Sequence, residues 1–216
     1  MIWFTSDTHY NHKNICRGTS EWKENPDIIT SGTHSPQRTR EFDTLEDMNS
    51  TIVKNINDLV KENDTLYHLG DWSFGGINSI WDFRKQLNVQ TIHYILGNHC
   101  HHIENNRVLP NVIKYGSEVT KAQDLFTSVQ HYKEVSINGR IFVLSHYAHR
   151  VWNKSHHGAI HLYGHSHGTI DNNYGLSMDV GLDTWKEFRP YSITEIIDIM
   201  SRREALIIDH HNKNTN

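Results

Sequence analysis

Histidine and carboxylate side chains recur in this sequence just after short apolar runs, where they could bind metal ions. The segment HLYGHSHG (161–168) shows the pattern: an alternating, strand-like run is followed by His165 and His167 between two glycines. In extended backbone, residues two apart point to the same side, so both imidazoles could face one point in space. The glycines would allow a sharp turn and a close approach of the backbone to a bulky group.

A His-x-His pair alone has little weight here, because histidine is unusually frequent. With 18 histidines in 216 residues, chance gives about 1.5 such pairs. The sequence contains two, His99/His101 and His165/His167. The pairs therefore indicate a metal site only if other ligand-type residues also lie at strand ends.

Ligand-type residues do follow five predicted strands in succession. In chain order they are Asp7 and His9, Asp71, Asn98 and His99, His146, and His165 and His167. Because α/β folds place their sites at the carboxyl ends of strands, we expect these side chains to converge. Chance produces this alignment far less often than it produces any single pair.

The ligand types fit two divalent transition-metal ions. A mixture of carboxylate and imidazole suits Mn, Fe, Co, Ni or Zn better than Mg or Ca, and manganese is our first choice. A carboxylate such as Asp71 can bridge two ions about 3.5–4 Å apart. Two dications, offset by Asp7, Asp71 and one hydroxide, keep a positive charge that attracts phosphate. A neutral Asn98 and neutral imidazoles preserve that charge.

The elements that must position these residues are short strands alternating with helices, followed by a hairpin-rich second half. Strands are predicted at 2–5, 65–71, 91–99, 159–167 and 176–182, and a hairpin at Asn138-Gly139. Helices are predicted by apolar spacing at 42–59 and 78–87, and after the capping box Ser192-x-x-Glu195. This order favours the α/β class with mixed rather than purely parallel sheets.

Length and composition predict a soluble protein of one domain, residues 1–216, with a lid loop at 17–40 and a frayed tail at 209–216. No apolar run approaches the ~20 residues of a membrane span, and no signal peptide is visible. Cys16 and Cys100 make no disulfide framework, which indicates a cytoplasmic setting. A net charge of −4 disfavours long duplex DNA, whereas a small anionic substrate stays compatible with a metal pocket.

The five blocks resemble the pattern of the calcineurin-like metallophosphoesterase family, which is D-x-H, G-D, G-N-H-D/E, a lone H and G-H-x-H. Here they stand in that order as DTH (7–9), GD (70–71), GNH (97–99), SH (145–146) and GHSH (164–167). The resemblance spans roughly residues 2–190 and looks closest to small microbial and phage members, which implies the cytoplasm of a microbe or of a phage-infected cell. It also implies an α/β fold, a four-layer α/β/β/α sandwich of two mixed β-sheets.

The resemblance implies a role for each residue of the blocks. One ion would be held by Asp7, His9 and His167, the other by Asn98, His146 and His165, with Asp71 bridging. A metal-bridging hydroxide would attack phosphorus, and His99 would contact the substrate beside Asn98 and protonate the leaving oxygen.

One position departs from the family pattern. The residue after His99 is usually an acid, and here it is Cys100. A carboxylate there would orient the imidazole and raise its pKa, so the general-acid role has less support than metal binding. His101 or His102 could replace the acid, although a loop histidine is more often only solvated.

Several residues keep two interpretations. Arg150 and Trp152 could reach a substrate phosphate or base, or belong to a solvated loop. His12 could support a ligand or pack within its loop. Phe74 could line a pocket or lie in the core. Trp185 is assigned a packing role.

The sequence therefore predicts a metal-dependent phosphoric ester hydrolase, a phosphodiesterase or phosphatase. Nucleotide-type substrates are favoured, including short single-stranded nucleic acid, because aromatic side chains can stack on bases. The alternative is a catalytically impaired protein that binds or sequesters metal or phosphate, which Cys100 alone favours. The chain retains all seven expected ligands, which argues against such a loss. A monomer and a homodimer both remain open.

Overall fold

The computed structural model of the chain describes residues 1–22, 39–114, 117–171 and 173–208. Most of the predicted lid (residues 23–38) and the predicted tail (209–216) lie outside these residues. The helices are α1 (Leu45–Leu59), α2 (Ile77–Arg84), α3 (His101–Glu104) and α4 (Ile193–Ser201). The strands are β1 (Ile2–Thr5), β2 (Thr65–His68), β3 (Thr91–Ile95), β4 (Val108–Lys114), β5 (Ser117–Lys121), β6 (Ser128–Gln130), β7 (Tyr132–Ile137), β8 (Arg140–Ser145), β9 (Ile160–Tyr163), β10 (Ser177–Asp179) and β11 (Tyr191–Ser192).

Two mixed sheets organise the molecule. The first has the order β11-β1-β2-β3-β6, in which β11 is antiparallel to β1 and the other neighbours are parallel. The second has the order β10-β9-β8-β7, with one antiparallel pair, β7 and β8. Strands β4 and β5 form a separate antiparallel hairpin. The predicted α/β class with two mixed sheets is confirmed.

Local sequence signals explain where several elements begin. The Thr44 side chain accepts a hydrogen bond from the Asp47 backbone N–H and caps α1. Ser192 and Glu195 form the predicted reciprocal capping box at the start of α4. At the β7–β8 turn, Asn138 and Gly139 have φ of 51° and 77°, as a type I′ turn requires.

Side chains from opposite faces of the first sheet enter two apolar clusters. Leu66 of β2 packs in the cluster that contains the buried faces of α1 and α2. Its neighbour Tyr67 lies in the second cluster, with residues of the second sheet and of α4. There, Phe4 of β1 stacks on Phe142 of β8, with ring centroids 5.8 Å apart. The two sheets therefore pack face to face, which fixes the strands of one relative to those of the other.

Parallel register keeps the carboxyl ends of neighbouring strands level. Thr5 at the end of β1 lies opposite His68 at the end of β2, and His68 lies opposite Tyr94 near the end of β3. The segments that leave these strands therefore start side by side. Among the described helices, none combines the length and apolar composition needed to cross a membrane.

Candidate metal centre

The segments that carry the five blocks are hydrogen-bonded to one another. The backbone N–H groups of Asp7 and His9 donate to the carbonyls of Gly70 and Asp71, each over 3.0 Å. On the second sheet, the N–H of Gly164 donates to the carbonyl of His146, also over 3.0 Å. The side chain of Asp7 accepts from the backbone N–H of His165, which joins the two sheets.

The first group of converging side chains is Asp7, His9 and His167. Nε2 of His9 lies 3.6 Å from Oδ1 of Asp7, and Nε2 of His167 lies 3.8 Å from the same oxygen. The two Nε2 atoms are 3.2 Å apart. One cation placed among these three atoms would meet one oxygen and two nitrogens.

The second group surrounds Asp71. Its Oδ2 lies 3.5 Å from Nε2 of His146 and 3.7 Å from Nε2 of His9, so this carboxylate lies between the two groups. Oδ1 of Asn98 lies 3.0 Å from Nε2 of His146 and 2.9 Å from Nδ1 of His165. The structure thus brings together all seven residues expected as ligands, with Asp71 between the two groups.

The donor atoms are arranged to receive positive charge. Oδ1 of Asp7 is buried and has no hydrogen-bond partner among the described residues, which is costly for a carboxylate oxygen unless a cation compensates it. Nδ1 of His146 donates to the carbonyl of Leu69 over 2.7 Å. In the neutral imidazole, Nε2 then presents a lone pair to the amide oxygen of Asn98, and a cation satisfies both acceptors. These residues fit divalent transition-metal ions.

Both carboxylates of the site favour their ionised form. Burial raises the pKa of Asp7, but the hydrogen bond and charges of the surrounding histidines outweigh burial and hold that pKa well below its ordinary value. The pKa of Asp71 is also lowered, because the hydrogen bond from His146 and the charge of His9 exceed the opposing effect of burial. Ionised carboxylates are the form that binds metal.

The backbone at the site is strained. Ten non-glycine residues have positive φ in the described part of the chain, and five of them are expected ligands: Asp7, His9, Asp71, His165 and His167, with φ from 46° to 65°. Such conformations are uncommon outside glycine and persist where the surrounding structure imposes them, often at functional sites. Five of the seven expected ligands therefore have this uncommon conformation, whereas Asn98 and His146 do not.

Glycines in the blocks leave room for ligands from other strands. A Cβ on Gly164 would lie 2.4 Å from Oδ2 of Asp7, and one on Gly97 would lie 2.3 Å from Oδ1 of Asp71. The bulky group that the backbone approaches is therefore a carboxylate of the site itself. This contact explains the glycine before the His-x-His pair.

His167 is oriented by two residues that the sequence analysis missed. Nδ1 of His167 donates to Asp183 over 2.6 Å, and Arg40 donates to both oxygens of that carboxylate over 2.8 Å. Arg40 also donates to the backbone carbonyls of Asp7 and Thr8. Burial lowers the pKa of His167, but Asp183 outweighs burial and raises it to about 9. Arg40 belongs to the predicted lid, yet only 3% of its surface is exposed.

His99 and Cys100 both lie next to Oδ1 of the Asp71 carboxylate. The His99 backbone N–H donates to Oδ1 of Asp71, and its exposed imidazole lies 4.8 Å from the ring of Phe74. The buried thiol of Cys100 lies 2.6 Å from the Tyr94 hydroxyl and 3.8 Å from Oδ1 of Asp71. Burial and the Asp71 charge raise the thiol pKa to about 11. Among the described contacts, the Cys100 thiol adjoins the Asp71 carboxylate and the Tyr94 hydroxyl, and none joins it to the His99 imidazole.

A cavity of about 960 Å³ opens beside His9, His99 and His167. Arg150 and Trp152 are not among its described lining residues, and Trp152 is 7% exposed with its indole N–H donating to the Ala159 carbonyl. The structure therefore places Trp152 in the core, away from the cavity.

The aromatic residues that do line the cavity include His12, Phe74 and Trp185. His12 stacks on Phe74 with centroids 3.6 Å apart, and its ring centroid lies 5.4 Å from that of His9, so this histidine packs in the cavity wall beside an expected ligand. Trp185, which the sequence analysis assigned to packing, also has a cavity-facing role.

Comparisons with known proteins agree with this geometry. A model of the calcineurin-like phosphoesterase superfamily domain matches residues 1–178. An uncharacterised protein of Methanocaldococcus jannaschii is 31% identical over 110 residues, which are 50% of this chain and 51% of that relative, so the match spans about half the relative's length. A crystal structure of an Aquifex aeolicus protein of unknown function superposes with a TM-score of 0.57 at 20% identity, covering 92% of this chain and 98% of that one. At this identity the likeness concerns the fold alone.

Proposed function

The chain belongs to the calcineurin-like phosphoesterase superfamily, and we propose that it is a dinuclear metal-dependent phosphoesterase. The observation that carries the proposal is the place of Asp71. Its carboxylate lies between His9 of one ligand group and His146 of the other, at 3.7 and 3.5 Å. A carboxylate shared by two ligand groups is the feature expected of a two-ion site.

In the proposed reaction, the chain positions the substrate and controls a proton. Bound ions would supply an activated water and neutralise charge on the phosphate. His99 projects into the cavity next to Phe74, so its imidazole can donate a proton to the leaving oxygen. Phe74, stacked on His12, covers this side of the site with apolar surface and limits the access of water.

For the ion identity, we propose manganese first among Mn, Fe, Co, Ni and Zn, because imidazoles are combined with carboxylates. For the substrate, we propose a nucleotide-type phosphodiester or phosphomonoester, including short single-stranded nucleic acid. The size of the cavity beside the ligands supports a substrate larger than phosphate itself. We propose a cytoplasmic location.

Asp71→Asn tests the proposal directly. We expect manganese-dependent hydrolysis of bis-p-nitrophenyl phosphate to fall to background in this variant, because a neutral amide cannot bridge two cations. Asp82→Asn is the matched control, since Asp82 lies at the surface in an ion pair with Lys85. Wild-type turnover by Asp71→Asn, or absence of hydrolysis by the wild type with Mn, Ni and Zn, would reject the function.

A second candidate is a protein that binds metal or phosphate without turnover. The observation that favours it is the buried thiol of Cys100, which follows the exposed His99 at the position where an acid is expected. Tight binding of manganese without hydrolysis of any phosphoester would support this candidate over the enzyme.

A further inference from the structure

The cavity beside the ligands is much larger than a phosphate group requires. Its volume of about 960 Å³ lies at the upper end of the range for sites that enclose a whole small molecule. His9 and His167 form part of its wall, so a phosphoester held at the ligand groups would extend an organic arm into it. The lining of the cavity then determines which arm is accepted.

Aromatic rings outside the ligand groups form part of the cavity wall, and Phe188 and Trp185 are two of them. Phe188 has a φ of 46°, which is a strained conformation for a bulky side chain. Its ring packs on Phe42 with centroids 5.4 Å apart and lies 5.6 Å from the guanidinium carbon of Arg40. Arg40 is ion-paired with Asp183, and Asp183 accepts a hydrogen bond from His167. These contacts connect the Phe188 ring to the ligand groups.

Trp185 forms a second rigid part of the wall. The guanidinium of Arg189 lies over its ring at 4.1 Å, and Arg189 is ion-paired with Glu195 of the α4 capping box. Polar side chains also line the cavity, among them Glu41, Lys186, Ser166 and Thr169. A wall that combines aromatic faces with polar groups suits a planar ring that has polar atoms of its own, whereas a purely aliphatic arm would bury those polar groups without partners.

We propose that this cavity binds the nucleoside arm of a phosphodiester, with the base against Phe188 and Trp185 and the phosphate at His9 and His167. The proposal rests on the proposed function and specifies its substrate. The binding mode is stacking on aromatic side chains, which accepts every base because each has a π-face.

A different aromatic residue offers an alternative position for the arm. Tyr147 is 48% exposed, and its ring lies 4.7 Å from that of His165, on the side of the second ligand group. Tyr147 is outside the described lining of the large cavity. Substitutions at Phe188 and Tyr147 therefore separate the two positions.

The experiment compares three substrates with one leaving group. The manganese-loaded full chain is assayed with thymidine 5′-(p-nitrophenyl) phosphate, methyl p-nitrophenyl phosphate and cyclohexyl p-nitrophenyl phosphate, and kcat/KM is measured for each. We expect the thymidine ester to exceed both others by roughly 5- to 150-fold, the range for one stacked base. A ratio taken within one sample is independent of the fraction of folded enzyme.

Two variants locate the arm. Phe188→Asn removes the ring while keeping a residue that tolerates positive φ, and we expect the thymidine-to-methyl ratio to fall at least about fivefold. Tyr147→Leu should keep the wild-type ratio. The inference is overturned if kcat/KM is equal for the three esters, or if the cyclohexyl ester is preferred over the methyl ester as strongly as the thymidine ester is. It is also overturned if the thymidine-to-methyl ratio falls only in Tyr147→Leu. Each of these outcomes leaves the phosphoesterase proposal in place. If none of the three esters is hydrolysed, both the inference and the proposed phosphoesterase function are rejected.

Discussion

Asp183 accepts a hydrogen bond from Nδ1 of His167 over 2.6 Å, and this contact fixes which nitrogen of the imidazole faces the site. A carboxylate only accepts hydrogen bonds, so Nδ1 carries a proton and Nε2 is the nitrogen that faces Asp7 and becomes a metal ligand once it is deprotonated. An outer carboxylate of this kind orients the ring and raises the basicity of a histidine ligand. The contact joins two parts of the chain that share no sequence motif.

Replacing Asp183 tests this orientation. We expect Asp183→Asn to weaken manganese binding by about 10- to 100-fold, because the amide is a poorer acceptor and can present its NH₂ group to the ring. Competition with a fluorescent chelator measures the affinity. Asp58→Asn, which changes an exposed carboxylate paired with Lys54, is the matched control. Equal manganese affinity in the two variants would show that Asp183 does not support the ligand.

The Arg40–Asp183 pair should also stabilise the metal-free fold. The two side chains are 2% and 11% exposed. Arg40→Ala therefore removes the cation paired with a nearly buried carboxylate, which keeps only its hydrogen bond from His167 among the described contacts, and removes the donor to two backbone carbonyls. We expect unfolding free energy to fall by about 3–5 kcal/mol, as when one partner of a buried pair is removed. Urea unfolding in EDTA measures the change.

The exposed pair Arg17–Glu41 provides the control for Arg40. Its side chains are 42% and 60% exposed, so Arg17→Ala should cost at most about 1 kcal/mol. A loss in Arg40→Ala that is no larger than this would contradict a structural role for Arg40.

His99→Gln tests the proton donor. An alkyl leaving group needs a proton as it departs, whereas p-nitrophenolate scarcely does. We therefore expect kcat to fall by about 10²- to 10⁴-fold with alkyl leaving groups and far less with nitrophenyl ones. His101→Gln, an exposed histidine at the start of α3, is the control. Equal losses with both kinds of substrate would exclude His99 as the acid.

Asp179 should make the stability of the metal-free protein depend on pH. Burial, and then the charge of Asp7, raises the pKa of Asp179 from 3.8 to about 7. The folded state thus holds this proton more tightly than the unfolded state does. The resulting stabilisation is complete at pH values below the pKa of Asp179 in the unfolded state. It is lost as the pH rises through the pKa of Asp179 in the folded state, and the free energy of unfolding falls by roughly 4 kcal/mol.

The test compares wild type and Asp179→Asn by urea unfolding in EDTA between about pH 4 and pH 7. We expect the wild type to lose stability relative to the variant as pH rises, because the amide carries no charge to repel Asp7. Saturating manganese should reduce the difference by offsetting the charge of Asp7. Parallel pH profiles in EDTA would show that Asp179 ionises normally.

The sequence predicted the parts of the molecule that local signals encode. The capping box at Ser192, the turn at Asn138-Gly139 and the apolar spacing of α1 each depend on residues close together in the chain. Strands β6 and β11, with three and two residues, are too short to show a period. Strands β1, β2, β3, β8 and β9 were predicted in the right order, because ligand-type residues follow each of them. The predicted ranges 65–71, 91–99 and 159–167 were too long, since the strands end at His68, Ile95 and Tyr163 and the ligand-type residues lie in the loops beyond.

The residues that surround the ligands were not predictable in the same way. Arg40 and Asp183 meet across 143 positions of sequence, and neither belongs to a recognisable motif. Trp152 and Trp185 look alike as isolated aromatics, and only the packing of the two sheets places one in the core and the other at the cavity. Tertiary contacts, which a single sequence does not display, decide these roles.

The tight fit at Gly164 and Gly97 makes the blocks of the site interdependent. A single methyl group added at either position would collide with a carboxylate that a distant block contributes. A side chain at position 164 would therefore displace Ser6 and Asp7, which the opposite end of the chain contributes. The first and last blocks can keep their geometry only together.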